Sequence, residues 1–158
     1  SRPPALHLGA LGPNDLLRHA HALVEPEAKE RNIELVLDLA DELPTIRADE
    51  NQLSQAILNI LINAFQAAGG RPRVILSSRL AQAGKAILLQ ISDNGHGVPT
   101  EDLERIFEFY YTTKDTGTGL GLSIAQRILH QHGGSIEVDS RIGHGTTVSF
   151  RLPVETNG

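Results

Sequence analysis

Hydrophobic residues recur along this chain with the two periods that distinguish helices from strands. A spacing of about 3.6 residues predicts helices over residues 13–31, 49–68 and 120–132, and a shorter helix over 100–106. Asp49 is the predicted N-cap of the second helix, and we expect Pro26 to kink or shorten the first. The residues expected on the inner face of the first helix are Leu16, Leu17, Ala20, Leu23 and Val24.

Alternating apolar and polar residues, which are typical of half-buried strands, predict the rest of the secondary structure. The predicted strands cover residues 33–39, 73–80, 85–93, 135–140 and 146–152. Helices combined with strands of mixed direction favour an α+β fold, a two-layer α/β sandwich. We expect a mixed, mostly antiparallel sheet with about three helices packed on one face.

The length of 158 residues is typical of one domain, which we assign to residues 13–154. Residues 1–12 lack periodicity and are predicted to be a linker, and residues 155–158 a C-terminal tail. Because the sequence begins at Ser1 and contains no Met, we expect a fragment of a longer protein.

Composition excludes several classes of function. The chain has no Cys, which rules out disulfides, thiolate zinc sites and cysteine nucleophiles. A net charge of −5 and an aromatic content of 4% argue against binding of nucleic acid. No apolar run approaches the roughly 20 residues that span a bilayer, and no signal peptide is visible. We therefore expect a cytoplasmic domain without direct membrane contact.

Asp93 is the first candidate for chemistry. It ends a predicted strand, in phase with the apolar residues at alternate positions before it, and so points to the core side. A carboxylate there is costly unless it meets a donor, and the exocyclic amine of adenine is such a donor. Gly95 and Gly97 follow, and their small size would let a flat ligand lie against the backbone. The alternative is an aspartate that only forms a turn or a cap.

Asn59 and Asn63 form a second candidate. They are four residues apart on one side of the predicted helix, at the edge of its apolar stripe. Amide oxygens are hard ligands that suit Mg²⁺, which takes further oxygens from water and substrate phosphates. The alternative is a pair of solvent-facing asparagines.

A third candidate is the segment KDTGTGLGL, which leads into the helix over 120–132. The first amides of a helix are unpaired and attract anions, and the glycines would let the backbone close on phosphate oxygens. The segment lacks the preceding strand of a dinucleotide fingerprint and the Lys-Ser/Thr of a P-loop. Lys114 precedes the glycines and is placed to reach a terminal phosphate, unless it is simply a solvated loop lysine.

Taken in order, these segments resemble the catalytic, ATP-binding domain of bacterial sensor histidine kinases, within the wider gyrase, chaperone, histidine kinase and mismatch-repair ATPase fold. NILINAFQAA is similar to the N box of that family, and DNGHGVP to its first glycine box. IFEFYYTTK is similar to the F box, GTGLGL to the second glycine box, and GHGTTVSF to the closing glycine-threonine motif. The short loop with TTK resembles the nitrogen-regulation type of kinase. Phe109 departs from the pattern, because the F box usually has proline there.

The resemblance implies a role for each matching residue. Asp93 would read adenine, with Gly97 at close approach and Thr146 acting through a water. Asn59 and Asn63 would hold Mg²⁺, and Asn59 and Lys114 would be the catalytic residues. The implied nucleotide contacts are Asn63, Asp93, Gly95, Gly97, Ile106, Phe107, Tyr110, Thr112, Thr113, Lys114, Gly117, Thr118, Gly119, Leu120, Gly121, Leu122 and Thr146.

The related ATPases carry a glutamate at the position of Asn59, and an amide cannot replace it as the general base for water. The resemblance therefore implies a monomeric domain that holds ATP until a histidine on a separate dimerisation domain attacks it, with a response regulator as an indirect partner. His19 and His21 are each followed by Ala, so neither fits the phosphoacceptor motif. The alternatives are an ATP-gated anti-sigma or scaffold module and an ATPase switch of the gyrase or chaperone type.

Overall fold

The computed structural model describes residues 5–67, 69–108 and 121–156. Its helices are α1 (Pro13–Glu30), α2 (Glu50–Gln66) and α3 (Gly121–Gln131). Its strands are β1 (Gly9–Leu11), β2 (Glu34–Asp38), β3 (Ile46–Ala48), β4 (Arg73–Ala81), β5 (Ala86–Asp93), β6 (Ser135–Ser140) and β7 (Thr146–Pro153). No helix in these described ranges is long and apolar enough to cross a membrane.

Within the residues that the structure describes, the main sheet has five strands in the order β2-β4-β5-β7-β6. Only the β2–β4 pair is parallel, and every other pair in this sheet is antiparallel. All three helices contribute to one hydrophobic core with a single face of the sheet. The alternate residues of β5 that face this core are Ile87, Leu89 and Ile91, whereas the residues between them face the other side. The predicted α+β sandwich is confirmed.

α1 follows the prediction closely, with two corrections. Leu16, Leu17 and Ala20 are buried as expected, but Leu23 is 53% exposed and does not belong to the inner face. The helix also continues past Pro26 to Glu30, so the proline does not shorten it. Proline removes one amide hydrogen bond and its ring crowds the carbonyl one turn earlier, and packing of the apolar face of α1 on the core outweighs these costs.

A second, two-stranded sheet was not predicted. β1 pairs antiparallel with β3, so that Gly9 lies opposite Ala48 and Leu11 opposite Ile46. Part of the segment predicted to be a linker is thus hydrogen-bonded to the residues just before α2. The backbone N–H of His7 adds a bond of 2.9 Å to the Asp49 carboxylate.

Asp49 is the N-cap of α2, as predicted, and it also joins α2 to α3. Its side chain accepts from the backbone N–H of Gln52 at 3.1 Å, while its own N–H donates to His132 Nε2 at 3.0 Å. Since Nε2 accepts, the proton of this neutral imidazole is on Nδ1, which donates to the Ile128 carbonyl at 2.8 Å. His132 is only 8% exposed, so this contact is a buried polar junction between two helices.

The predicted element boundaries agree with the structure within two residues, except at the helix expected over 100–106. The helix expected over 100–106 is a single 3₁₀ turn, Thr100–Asp102, followed by irregular turns. α3 ends at Gln131, one residue before the predicted end, and residue 120 lies outside the described ranges.

Candidate functional site

Asp93 and Thr146 lie side by side at one end of the main sheet. Asp93 is the last residue of β5 and is directly opposite Thr146, the first residue of β7. Directly opposed residues on antiparallel strands project to the same face of a sheet, which here is the face covered by the helices. Both residues are half-buried. The carboxylate that is predicted to read adenine therefore lies next to the Thr146 hydroxyl, at the end of the sheet and on its helix-covered face.

The Asp93 side chain also forms a local turn. Its Oδ1 accepts a hydrogen bond of 2.9 Å from the backbone N–H of Gly95. This bond is the one expected from the alternative in which Asp93 forms a turn. The turn fixes the direction of the carboxylate at the end of β5, so a turn role and a ligand role are compatible in this geometry.

The glycines after Asp93 are required by the protein itself. A Cβ on Gly95 would collide with the carbonyl oxygen of Ala67 and lie 2.8 Å from its Cβ. Gly97 has a φ of +79°, and a Cβ there would collide with the carbonyl of Arg141. The sequence interpretation attributed this close approach to a ligand, whereas the structure shows that neighbouring backbone already demands it. A nucleotide contact at either glycine stays a prediction.

α2 brings Asn63 close to the loop that follows Asp93, and Asn59 lies one turn earlier on the same helix. The N–H of Ala67 bonds to the Asn63 carbonyl, and Ala67 in turn packs on Gly95, so Asn63 lies one helical turn from the Asp93 loop. Asn59 is half-buried and Asn63 is exposed. Neither side-chain amide has a hydrogen-bond partner within the described part of the chain. The half-buried Asn59 amide and the exposed Asn63 amide are therefore both available to bind a ligand.

The other predicted nucleotide contacts fall into two groups. Ile106 is 2% exposed, Phe107 and Leu122 pack against the core, and Gly121 is the first residue of α3. The predicted contacts that lie outside the described residues are Tyr110, Thr112, Thr113, Lys114, Gly117, Thr118, Gly119 and Leu120. Phe109, the departure from the F-box pattern, lies outside them as well.

Sequence reasoning missed Ser140, the last residue of β6. It lies directly opposite Thr146, so Ser140, Thr146 and Asp93 form one row across three neighbouring strands. The Ser140 hydroxyl is 2.8 Å from that of Thr146. A signal was present, because Ser140 is in phase with the inward-facing Ile136 and Val138, as Asp93 is with the apolar residues of β5.

Comparisons with known proteins identify the family and the fold. The family described as histidine kinase-, DNA gyrase B-, and HSP90-like ATPase matches residues 48–156. Sensor histidine kinase ZraS of Escherichia coli (strain K12) is 39% identical over 153 residues. That alignment covers 97% of this chain but 32% of ZraS, so the chain spans about a third of that relative.

Solved histidine kinases share the fold. The catalytic domain of ThkA has a TM-score of 0.84 and 29% identity, over 94% of this chain and 97% of that one. Full-length ShkA in complex with AMPPNP has a TM-score of 0.87 and 34% identity, over 98% of this chain and 33% of ShkA. ThkA in complex with the response regulator protein TrrA has a TM-score of 0.80 and 26% identity, over 94% of this chain and 42% of that one. The chain therefore belongs to the histidine kinase-, DNA gyrase B- and HSP90-like ATPase family and is homologous to sensor histidine kinases.

Proposed function

We propose that this chain binds Mg·ATP and donates its γ-phosphoryl group to a histidine on a separate dimerisation domain of a two-component sensor kinase. The observation that carries the proposal is the half-buried Asp93 carboxylate, opposite Thr146 and beside the end of α2. The homology to ZraS and the AMPPNP bound to full-length ShkA support it.

Asp93 would accept a hydrogen bond from the exocyclic amine of adenine. Hydrogen bonds to a charged group contribute about 1.5–3 kcal/mol, more than those between neutral groups. Thr146 would contact the base through a water, and Gly97 would lie against the ring. The turn bond from Gly95 holds the carboxylate in place before the nucleotide arrives, so little ordering is needed on binding.

Asn59 and Asn63 fit a magnesium site that is completed by phosphate oxygens. Both offer amide oxygens on one side of α2, without hydrogen-bond partners in the described ranges. Mg²⁺ prefers oxygen ligands and usually keeps several waters, so two amides and the phosphates suffice. The bound ion would neutralise charge on the β- and γ-phosphates during transfer.

The absence of a carboxylate at position 59 distinguishes phosphoryl transfer from hydrolysis. An amide cannot accept the proton of an attacking water, so bound ATP would persist until a stronger nucleophile reaches it. A nitrogen of the acceptor histidine would then bond to the γ-phosphorus as the bond to the departing ADP oxygen breaks. In this proposal Lys114 offsets charge on the transferred group, and the backbone around Gly117, Gly119 and Gly121 cradles the phosphates.

Residues 1–12 would connect this domain to the dimerisation domain. The pairing of β1 with β3 and the bond from His7 to Asp49 support a firm attachment of that segment to the body. The complex of ThkA with TrrA supports a response regulator as a downstream partner. The domain boundaries at residues 12 and 154 are part of the same proposal.

The nucleotide site is tested by calorimetric titration of the chain with AMPPNP and Mg²⁺. We expect Asp93→Asn to weaken binding at least about tenfold, because it removes a charged acceptor. Asp139→Asn is the matched control, since Asp139 is exposed on the other face of the sheet, opposite Thr147. Equal affinities of Asp93→Asn and the parent chain would exclude Asp93 as the adenine contact.

The transfer reaction is tested with γ-labelled ATP. We expect no label on the chain alone, and an acid-labile label on a histidine-bearing dimerisation domain supplied as a second polypeptide. Acid-stable phosphoserine on a partner would favour the anti-sigma alternative. Steady release of phosphate by the chain alone would favour the ATPase switch.

A further inference from the structure

Ser140 is tied to the two loops that surround Asp93. Its Oγ accepts from the backbone N–H of Val98 at 2.8 Å and donates to the carbonyl of Gly145 at 2.9 Å. Val98 belongs to the loop that follows Asp93, and Gly145 ends the turn between β6 and β7. A single hydroxyl thus connects both loops to the end of β6.

The same hydroxyl fixes the direction of a third hydrogen bond. Ser140 Oγ is 2.8 Å from Thr146 Oγ1, and either hydroxyl is able to donate in such a contact. A carbonyl oxygen only accepts, so the one proton of Ser140 is committed to Gly145. Thr146 must therefore donate to Ser140, which leaves only lone pairs of Thr146 for any other partner.

We propose that Ser140 is a positioning residue that makes Thr146 a hydrogen-bond acceptor beside Asp93. Asp93 and Thr146 are directly opposite each other on neighbouring strands, about 5 Å apart. With the Thr146 proton directed to Ser140, both side chains present acceptors toward the base. The inference rests on the proposed nucleotide function, and it explains part of the preference of that site for adenine.

This polarity favours a 6-amino purine over a 6-oxo purine. The exocyclic amine of adenine supplies N–H groups to acceptors, directly or through a water. Hypoxanthine carries a carbonyl oxygen at that position, which would face the Asp93 carboxylate without a proton between them. A water between that carbonyl and Thr146 would have to use both of its protons, one for each acceptor, because Thr146 has none to offer. If the Thr146 hydroxyl were free to rotate, it would donate to that carbonyl and relieve part of the mismatch.

Ser140→Ala removes the hydroxyl that fixes the direction of the Thr146 hydrogen bond. It frees the Thr146 proton and leaves the Val98 N–H without its acceptor, while the Asp93 carboxylate is unchanged. Ser140→Thr keeps a hydroxyl at the same position. Ser149→Ala is the structural control, because Ser149 is 5% exposed and accepts a 2.9 Å bond from Gln90 on the opposite face of the sheet.

The experiment is calorimetric titration of the four proteins with ADP and with IDP. We expect Ser140→Ala to weaken ADP binding about tenfold, the effect of losing about one hydrogen bond, and IDP binding much less. The ratio of the two dissociation constants would then fall several-fold, whereas Ser140→Thr and Ser149→Ala would keep the ratio of the parent chain.

The outcomes separate the inference from the function on which it rests. Equal weakening of ADP and IDP by Ser140→Ala would mean that the serine only stabilises the loops, and this result overturns the inference. Parental affinity for both ADP and IDP in a folded Ser140→Ala protein overturns it as well. A parent chain that binds neither nucleotide refutes the proposed function itself.

Discussion

Replacing Gly145 by alanine tests whether the turn between β6 and β7 holds Asp93 in place. Gly145 has a φ of +78°, and a Cβ there would collide with the Asp93 carbonyl oxygen and lie 2.9 Å from its carbon. Gly143, in the same turn, has a φ of +81°, but a Cβ would meet nothing within 4 Å. The two substitutions therefore share a conformational cost, and only Gly145→Ala adds a steric one.

The two costs have different magnitudes. A left-handed backbone costs a residue other than glycine about 1–2 kcal/mol, which applies to both variants. The collision at Gly145 involves backbone atoms that cannot rotate away, and overpacking of this kind costs about 1–3 kcal/mol more. At about 2–4 °C per kcal/mol for a domain of this size, we expect a fall in Tm of about 4 °C for Gly143→Ala and about 10 °C for Gly145→Ala.

Thermal unfolding and ADP titration measure the two effects together. We expect Gly143→Ala to bind ADP within about twofold of the parent chain, because its added methyl group points into open space. Gly145→Ala should lose more than about tenfold, because the end of β5 that carries Asp93 must shift. Equal falls in Tm for the two variants, or parental affinity for ADP in Gly145→Ala, would refute this reasoning.

Two further predictions concern the junction at Asp49. The pKa of Asp49 is held below its usual range, first by the His7 amide and then by the amides that it caps, against the opposing effect of burial. The resulting stabilisation is present above about pH 4 and is lost as the pH falls through the lower folded pKa. Urea unfolding of Asp49→Asn should therefore show a smaller loss of stability between about pH 5 and 3 than the parent chain, and equal losses would contradict this. His132→Ala leaves the Asp49 N–H without its acceptor and should lower the free energy of unfolding by about 2–4 kcal/mol. His130→Ala, at an exposed position of α3, should change it by less than about 0.5 kcal/mol, and equal effects of the two substitutions would contradict the junction.

The longer helices and strands were predictable because burial of one face sets the spacing of apolar residues along each of them. α2 buries residues at helical spacing, and β5 contributes alternate residues to the core. Such sets are visible in a short window of sequence. Leu23 was misassigned because it lies at the edge of the α1 stripe. At about 100° per residue, an edge position is buried only if a neighbouring element covers it, and that depends on the tertiary fold.

The small sheet could not be predicted from the sequence pattern. β1 and β3 have three residues each, which is too short for a period of two to be distinguished from chance. Their pairing joins Gly9 to Ala48, with the whole of α1 and β2 between them in sequence. Only the packing of those intervening elements brings the two segments together.

The glycines illustrate a different limit of sequence reasoning. A missing side chain has the same sequence signature whether the close neighbour is a ligand or the protein backbone. At Gly95 and Gly97 the neighbours are Ala67 and Arg141, which lie far away in sequence. The glycines therefore identify where segments of the chain converge, and the convergence creates the site even without a direct glycine contact to the nucleotide.

For Ser140, Thr146 and Asp93, the positions of the side chains are predictable from the sequence, but the directions of their hydrogen bonds are not. Each residue is polar at an inward position of a strand end, and the alternating pattern is sufficient to identify such positions. The direction of the hydrogen bonds among them is set by the Gly145 carbonyl, which reaches Ser140 only because the turn closes on the end of β5. Base preference would thus depend on a backbone acceptor, and a backbone carbonyl has no sequence signature.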